Sequence, residues 1–548
     1  MSSHGHYGAP MGGWSFADVY EVVARAVPDA PCQVHGERVV TWKEFDRRSN
    51  GLARALLDAG LGHQSKVAAY LYNCPEYMET YVASFKAGLV PVNTNYRYAA
   101  DEIVYLFDNA DAEAVVFHAE FAVLIDGIRS RLPKVRTWLV VDDGNEVPEW
   151  ATPYEDAIAS GTSDEPTVAP WGRSGDDLLL LYTGGTTGMP KGVMWRQDDL
   201  FRVLGGGGNP ILGVPPAQDL DELASRISAP GAVMLPACPL MHGTGQFSCF
   251  INLNSGGSLV SQVDHRFSAA QLWQDVADHK VNALVIVGDA FARPLLAELD
   301  AHPERWDLSG LFVISSSGVM WSQETKTGLM KHLPNVILFD SLGSSEAVGL
   351  AQNVSAAGAS EETASFKIGD RVKVLTEEGR EVQPGSDDIG MVSISGYIPT
   401  GYYKDPEKTA KTFREVNGVR YSTPGDFAQV KDDGTIHLLG RGSVVINTGG
   451  EKVFPEEVEE ALKQHPAVND AVCVGVPDER FGEAICAMVE AAAGASIDPD
   501  ALIDHVKGRL ARYKAPRLVL EVKTIGRAPN GKVDYKGLRA QALDRLQA

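Results

Sequence analysis

Short apolar runs alternate with helical patterns along most of this chain, and that alternation constrains the fold more than any other feature. Lys66–Leu71 reads as a buried strand, Glu76–Ala87 as a helix ended by Gly88, and Val90-Pro91-Val92 as the start of the next strand. Ala114–Phe117 and Trp138–Val141 continue the series. Upstream, Phe16–Val27 has helical spacing, Arg38–Trp42 reads as a strand and Lys43–Gly60 as an amphipathic helix. Downstream, Ala283–Val287, Leu311–Ile314 and Val336–Phe339 are three more buried strands with helical segments between them. Alternation at this spacing implies parallel α/β layers. From Gly369 to Leu439 the texture changes to short alternating strands with Asp-Gly turns, which predicts a small antiparallel barrel or sheet appended to that body. Past Gly440 a third region sets helices at Glu456–His465 and Asp498–Leu510 around strands at Asp470–Val476 and Ala484–Ala491. At about 100 residues it is long enough for a small α+β domain. The Gly205–Gly208 run and the polar stretch to Ser228 read as a mobile insertion, a loop without a ligand role of its own.

Several function classes fall away on composition. A chain of 548 residues exceeds one compact core and predicts two or more domains. A formal net charge of −23 argues against a nucleic-acid surface or an anionic membrane as obligatory partner. The 6 cysteines are scattered, with no CxxC and no metal-ligand spacing, which fits buried small hydrophobes in a reducing cytoplasm. Met1–Gly13 lacks the apolar segment of a signal peptide, and no apolar run is long enough to cross a bilayer. The expectation is a cytoplasmic protein without integral membrane contact, with homo-oligomerisation left open.

One segment carries chemistry. Tyr182-Thr183-Gly184-Gly185-Thr186-Thr187-Gly188-Met189-Pro190-Lys191-Gly192 follows the apolar run Leu178–Leu181. Its glycines let backbone N–H groups approach an anion, and its threonines and lysine add the donors a polyphosphate needs. It is not a Walker loop, because Pro190 precedes the lysine and Gly192 follows it. Four later segments are weak alone: Asp340-Ser341-Leu342-Gly343-Ser344-Ser345-Glu346, Tyr421-Ser422-Thr423-Pro424-Gly425-Asp426, Gly440-Arg441-Gly442-Ser443 and Arg527-Ala528-Pro529-Asn530-Gly531-Lys532-Val533.

In this order and at these separations, the five segments resemble the adenylate-forming superfamily of acyl-CoA synthetases, luciferases and peptide-synthetase adenylation domains. The resemblance runs from about Trp14 to Arg539. It implies an N-terminal body over 1–440, a hinge at 441–445 and a mobile C-terminal domain over 446–548. It also implies a two-step reaction: a carboxylate and ATP give acyl-AMP and pyrophosphate, and a thiol then displaces AMP. Thr183, Gly184, Gly185, Thr186, Thr187, Gly188 and Lys191 match the pyrophosphate loop. Glu346 matches the Mg²⁺ carboxylate, with Thr183 near the metal. Ser317, Gly318 and Val319 lie where the backbone lines adenine, beside Ser345. Asp426 matches the ribose-binding acid, Arg441 the arginine at the hinge, and Lys532 the catalytic lysine. Two departures stand out. Leu342 replaces the usual adenine-stacking tyrosine, and Pro424 replaces a threonine before Gly425-Asp426.

The physics agrees with those roles. Phosphoryl chemistry needs charge neutralisation and positioning, and a carboxylate nucleophile is already ionised at neutral pH. The chain ends 16 residues after Lys532, so the acceptor is expected to be free coenzyme A, with Ser443, Gly449, Gly450 and Glu451 at the hinge and thiol tunnel. The acyl pocket is expected between Pro239–Gly245, with His242 as its gate and Gly243 and Gly245 in its wall, and the strand ends at Val287, Leu342 and Gly343. No lysine or arginine stands there to pair a second carboxylate, so the acid is expected to be a bulky hydrophobic monocarboxylate. The whole-chain pattern resembles actinobacterial fatty-acyl and steroid side-chain acid CoA ligases. Glycines at 243, 245, 256 and 257 are expected to open volume for it. Two other readings stay open: a fatty-acyl-AMP ligase serving a separate carrier protein, and a degenerate binding protein on the same fold. CoA-dependent release separates the first, and ATP–pyrophosphate exchange the second.

If Lys532 bridges the carboxylate and the α-phosphate, Lys532→Ala should lose acyl-AMP formation by several powers of ten. It should still turn supplied acyl-AMP and CoA into thioester. Single-turnover assays of the two half-reactions check this, and equal loss in both would exclude the role.

Overall fold

The computed structural model describes residues 12–161, 165–185, 188–209, 213–319, 321–356, 365–441, 445–448, 451–478, 482–510, 512–528 and 533–547. The chain divides into two compact units. One comprises Met1–Gly349, Val354–Ser360 and Ser395–Arg414, the other Leu350–Asn353, Glu361–Ile394 and Glu415–Ala548.

Two eight-stranded sheets build the first unit. One runs in the order 401–402, 188–196, 178–185, 90–93, 66–70, 112–118, 137–141, 152–153. Its centre is parallel: Val67 stands beside Pro91 and Ala114, and Val92 beside Leu180. The strands are buried on both faces, which is why they read as unbroken apolar runs. The other sheet contains the parallel strands Val233–Pro236, Ala283–Ile286, Val313–Ser317 and Ile337–Ser344. Helices fill the crossovers, and their starts follow local chemistry. Ser15 accepts from the Ala17 N–H, and Thr41 from the Glu44 N–H, at the heads of Phe16–Ala26 and Trp42–Asp58. Trp42 therefore begins a helix, where its β-propensity had placed it in the preceding strand.

The second unit holds a seven-stranded antiparallel sheet, the form taken by the expected barrel. Among the described residues the pairing does not join its end strands, Ser365–Phe366 and Phe413–Val416. It also holds a five-stranded sheet centred on Val468–Asp478 and Gly482–Ala491, packed by the helices Pro455–Lys463, Pro499–Lys507 and Tyr535–Gln547.

The expected loop insertion after Gly205 is corrected. Leu220–Arg226 is a helix, N-capped by Asp219 through the Glu222 N–H at 2.8 Å, with Leu220 and Leu223 buried. Arg226 reaches back to the carbonyls of Pro215 at 2.6 Å and Gly207 at 3.3 Å. A polar composition hid two apolar anchors one turn apart.

Charge is buried where helices meet. The Lys86 ammonium is fully enclosed, 2.6 Å from Glu21 and 2.8 Å from Asp46, and Glu21 also meets Arg173 at 2.7 Å. Burial alone would raise the Glu21 pKa, but Lys86 and Arg173 outweigh it and hold the carboxyl at about 2. A carboxyl whose folded pKa is depressed stabilises above its unfolded value and loses that contribution as pH falls through the folded one. Lys86→Met should therefore cost about 3–5 kcal/mol at neutral pH, because Glu21 and Asp46 lose their shared ammonium. Denaturant titrations should show the gap from wild type narrowing at acid pH, as Glu21 protonates in the folded variant and no longer lacks its ammonium.

Candidate active site

The Gly/Thr segment is the tip of an antiparallel hairpin. Leu178–Gly185 goes out, Gly188–Arg196 returns, and Thr183 faces Lys191 across the pair. Leu180 and Tyr182 root it in the hydrophobic core of the first sheet. Gly192 is required by close approach, since a Cβ there would lie 2.7 Å from the Tyr182 ring. Burial pushes the Tyr182 phenol well above its ordinary pKa, so it stays protonated and donates to Asn109 at 2.6 Å.

The returning strand templates the next piece of the site. Gly401–Tyr402 pairs antiparallel with it, Gly401 beside Met194 and Tyr402 beside Val193. This brings Asp405 to Lys191, which forms an ion pair with it. Hydrogen bonding from Lys191 holds the Asp405 carboxyl below the ordinary range, and Asp405 also caps the helix Pro406–Thr412. Lysine has three donors, so the pair leaves the ammonium capacity for further acceptors.

Glu346 sits with Ser345 in the two-residue turn between Ile337–Ser344 and Ala347–Ser355. The buried Trp195 indole donates to the Ser345 carbonyl at 2.9 Å, and the Tyr402 hydroxyl donates to Glu346 Oε1 at 2.8 Å. One hairpin edge and one short strand thus hold a carboxylate, an ammonium and the Thr183 hydroxyl on neighbouring elements. That donor set suits a polyphosphate carrying a hard cation. Sequence reasoning missed Tyr402, Asp405 and Trp195. The Gly401-Tyr402 pair carried no signal until the returning strand offered it an edge.

At the carboxyl ends of the second sheet, Ser317 faces Ser341 in register. Gly318 follows with φ +93°, and a Cβ there would lie 3.5 Å from Thr244 Oγ1 and 3.9 Å from Val287. Gly318, Thr244 and Val287 are therefore brought together, with Val319 next in the chain and half-buried Leu342 and Gly343 beyond Ser341. The buried Lys326 pairs with Asp340 at 2.8 Å; burial raises the Asp340 pKa and the ammonium opposes it.

Gly243–Leu253 is a helix that starts directly after His242, so Gly243 and Gly245 lie in its first turn. The expectation that glycines open volume is corrected at 245, 256 and 257. A Cβ on Gly245 would lie 2.7 Å from the Pro239 carbonyl oxygen, one on Gly257 2.4 Å from the Asn252 amide, and Gly256 is a turn with φ +74° against Ile227. These positions are small because backbone or side chain already fills the space.

In the second unit, Asp426 is buried at the start of Asp426–Val430 and stands opposite Arg441 on the neighbouring strand. Glu451 pairs with Thr448 in the hairpin at the head of the five-stranded sheet. Thr186, Thr187, Ser443, Gly449, Gly450 and Lys532 lie outside the described residues.

Residues 20–403 match the AMP-binding enzyme family, and residues 457–532 match the AMP-binding enzyme C-terminal domain. A 3-oxocholest-4-en-26-oate–CoA ligase of Rhodococcus rhodochrous is 42% identical over 538 residues, 96% of each chain. A medium/long-chain-fatty-acid–CoA/3-oxocholest-4-en-26-oate–CoA ligase of Mycobacterium tuberculosis is 41% identical over 97% of this chain and 96% of its own. Among solved structures, the ATP-bound MatB of Rhodopseudomonas palustris superposes with a TM-score of 0.80 at 25% identity, over 98% of this chain and 100% of that one.

Gly245→Ala should lower the melting temperature and reduce turnover of short and bulky acids by the same factor, because the added methyl displaces the Pro239 backbone. Thermal melts and kinetics on two acids of different size check this. A selective loss for the bulky acid would show that the added methyl projects into the acyl pocket instead.

Proposed function

We propose, from the premise that the chain belongs to the AMP-binding enzyme family and is an AMP-forming acyl-CoA ligase, that its acid is a bulky hydrophobic monocarboxylate: a steroid side-chain acid of the cholestenoate type or a long-chain fatty acid. The observation that carries this reading is full-length identity above 40% to two ligases named for such acids. The apolar setting of Val287, Leu342 and Phe247 at the strand ends and helix start supports it, because such walls reward burial at about 0.8 kcal/mol per methylene.

In the proposed chemistry the acid's carboxylate attacks the α-phosphorus of ATP, the bond to pyrophosphate breaks, and acyl-AMP forms. The CoA thiol then displaces AMP and the thioester forms. The Thr183–Lys191 hairpin binds the departing pyrophosphate, with Lys191 balancing its charge. Glu346 and Thr183 would hold Mg²⁺, which supplies charge neutralisation on the phosphates when bound. The fit is good: Glu346 offers an oriented carboxylate, and Mg²⁺ is ordinarily held by one or two carboxylates with substrate phosphates rather than by a closed cage. Asp426 binds the ribose hydroxyls, Ser317, Gly318, Val319 and Ser345 border the adenine, and Leu342 gives it an aliphatic rather than aromatic face. Arg441 and Lys532 act on the phosphate, and 441–445 is the swivel that brings Gly449, Gly450 and Glu451 to the thiol path. The same proposal places the enzyme in the cytoplasm; no helix among the described residues is long and apolar enough to cross a membrane.

Steady-state kinetics on acetate, octanoate, palmitate and a cholestenoate test the substrate. The highest kcat/KM should fall on the cholestenoate or palmitate, and a maximum on acetate would sink the proposal. Glu346→Gln should abolish Mg²⁺-dependent turnover while leaving the melting temperature near wild type, since an amide keeps the shape but not the charge. Normal activity with unchanged Mg²⁺ dependence would show that another carboxylate holds the metal.

A further inference from the structure

Two asparagines hold the backbone between Pro236 and Met241, and one of them also holds the Gly/Thr hairpin. Asn93 ends the strand Val90–Asn93 and is 2% exposed. Its Oδ1 accepts from the Tyr182 N–H at 2.6 Å, and its Nδ2 donates to the Tyr182 carbonyl at 2.9 Å and to the Met241 carbonyl at 2.6 Å. The side-chain amide thus prolongs the sheet ladder by one rung and fixes a point on the segment from the other sheet. Asn73 lies beyond the end of the neighbouring strand Lys66–Tyr70. It donates to the carbonyls of Cys238 at 3.1 Å and Pro236 at 3.4 Å and accepts from the Leu240 N–H at 2.8 Å. None of its three bonds reaches the hairpin.

The chemistry of Asn93 is specific. Its site presents one N–H and two carbonyls, and a primary amide answers with one acceptor and two donors. Aspartate would set oxygens against two carbonyls, and alanine would leave three buried backbone groups without a partner. The groups it grips are the residues directly before Thr183 and directly before His242. On the reading above, the first segment carries ATP and the second the acid.

We propose that Asn93 is a positioning residue for adenylation, setting the register between the acid's carboxylate and the α-phosphate. This inference rests on the assignment of those two segments under the proposed function. A bimolecular displacement needs near-attack geometry, and a misplacement of about 1 Å can cost about 100-fold. Once acid and AMP are joined in one molecule, their mutual register is covalent and Asn93 has nothing left to set. Loss of Asn93 should therefore strike one half-reaction and spare the other, which general destabilisation would not do.

The test measures both half-reactions in Asn93→Ala, Asn93→Asp and Asn73→Ala on the full chain, alongside thermal melts. In both Asn93 variants the kcat of acyl-AMP formation should fall by about 100-fold, with KM for ATP and acid changing by about threefold or less and thioester formation from supplied acyl-AMP kept within about threefold. Asn73→Ala should raise the KM for the acid and leave the kcat of adenylation near wild type. Whichever Asn93 variant is soluble decides the matter, since the readout is a ratio within one folded protein. Equal losses in the two half-reactions, or an adenylation kcat within about threefold of wild type, would overturn the proposal. A wild-type enzyme with no acid-dependent ATP–pyrophosphate exchange on any acid of the panel would overturn the ligase reading and the proposal with it.

Discussion

The antiparallel ladder between Leu178–Gly185 and Gly188–Arg196 is the constraint on which the candidate site depends. Its root is anchored by burial: Leu180 sits beside Val92 in the sheet, and Tyr182 is closed in by Gly192 and tied to Asn109. With the root fixed, the tip projects Thr183 and Lys191 opposite each other. The free edge of the returning strand then becomes a template, because unpaired N–H and C=O groups must find partners. Gly401–Tyr402 satisfies them, and in doing so delivers one side chain to Glu346 and leads to another at Lys191. The charged constellation is thus a consequence of backbone pairing.

Polar groups in the interior serve the same end. Lys86 ties three helices through Glu21 and Asp46, and Lys326 holds Asp340 two residues before Leu342. Each pair is nearly dry, so each is expensive to break on one side only. Such pairs do little for net stability relative to apolar residues, but they penalise alternative packings of the elements that carry the site.

Regular structure was largely legible in the sequence because its signals are local. Apolar runs such as Ala114–Phe117 and Trp138–Val141 read as buried strands and are strands, and the helical spacing of Phe16–Val27 marks the helix Phe16–Ala26. Two misreadings have a common cause. The stretch after Gly205 looked like loop because polar residues outnumber the two leucines that pin its helix. The glycines at 245 and 257 looked like open volume because a missing side chain reads as space in a sequence, whereas here the Pro239 backbone and the Asn252 amide already occupy it. Tertiary contact decided both.

The sequence by itself determined which groups are on offer: glycines, threonines and a lysine within one short segment, and a carboxylate at Glu346. These follow from residue types and order, which local physics reads without a partner. Only the tertiary structure decided which groups act on one another. Lys191 and Asp405 are separated by 214 positions, and Asn93 and Met241 by 148. Contacts of that range are set by strand order and register, and neither is written in any local pattern, because a strand's side-chain alternation is the same whichever neighbour it pairs with.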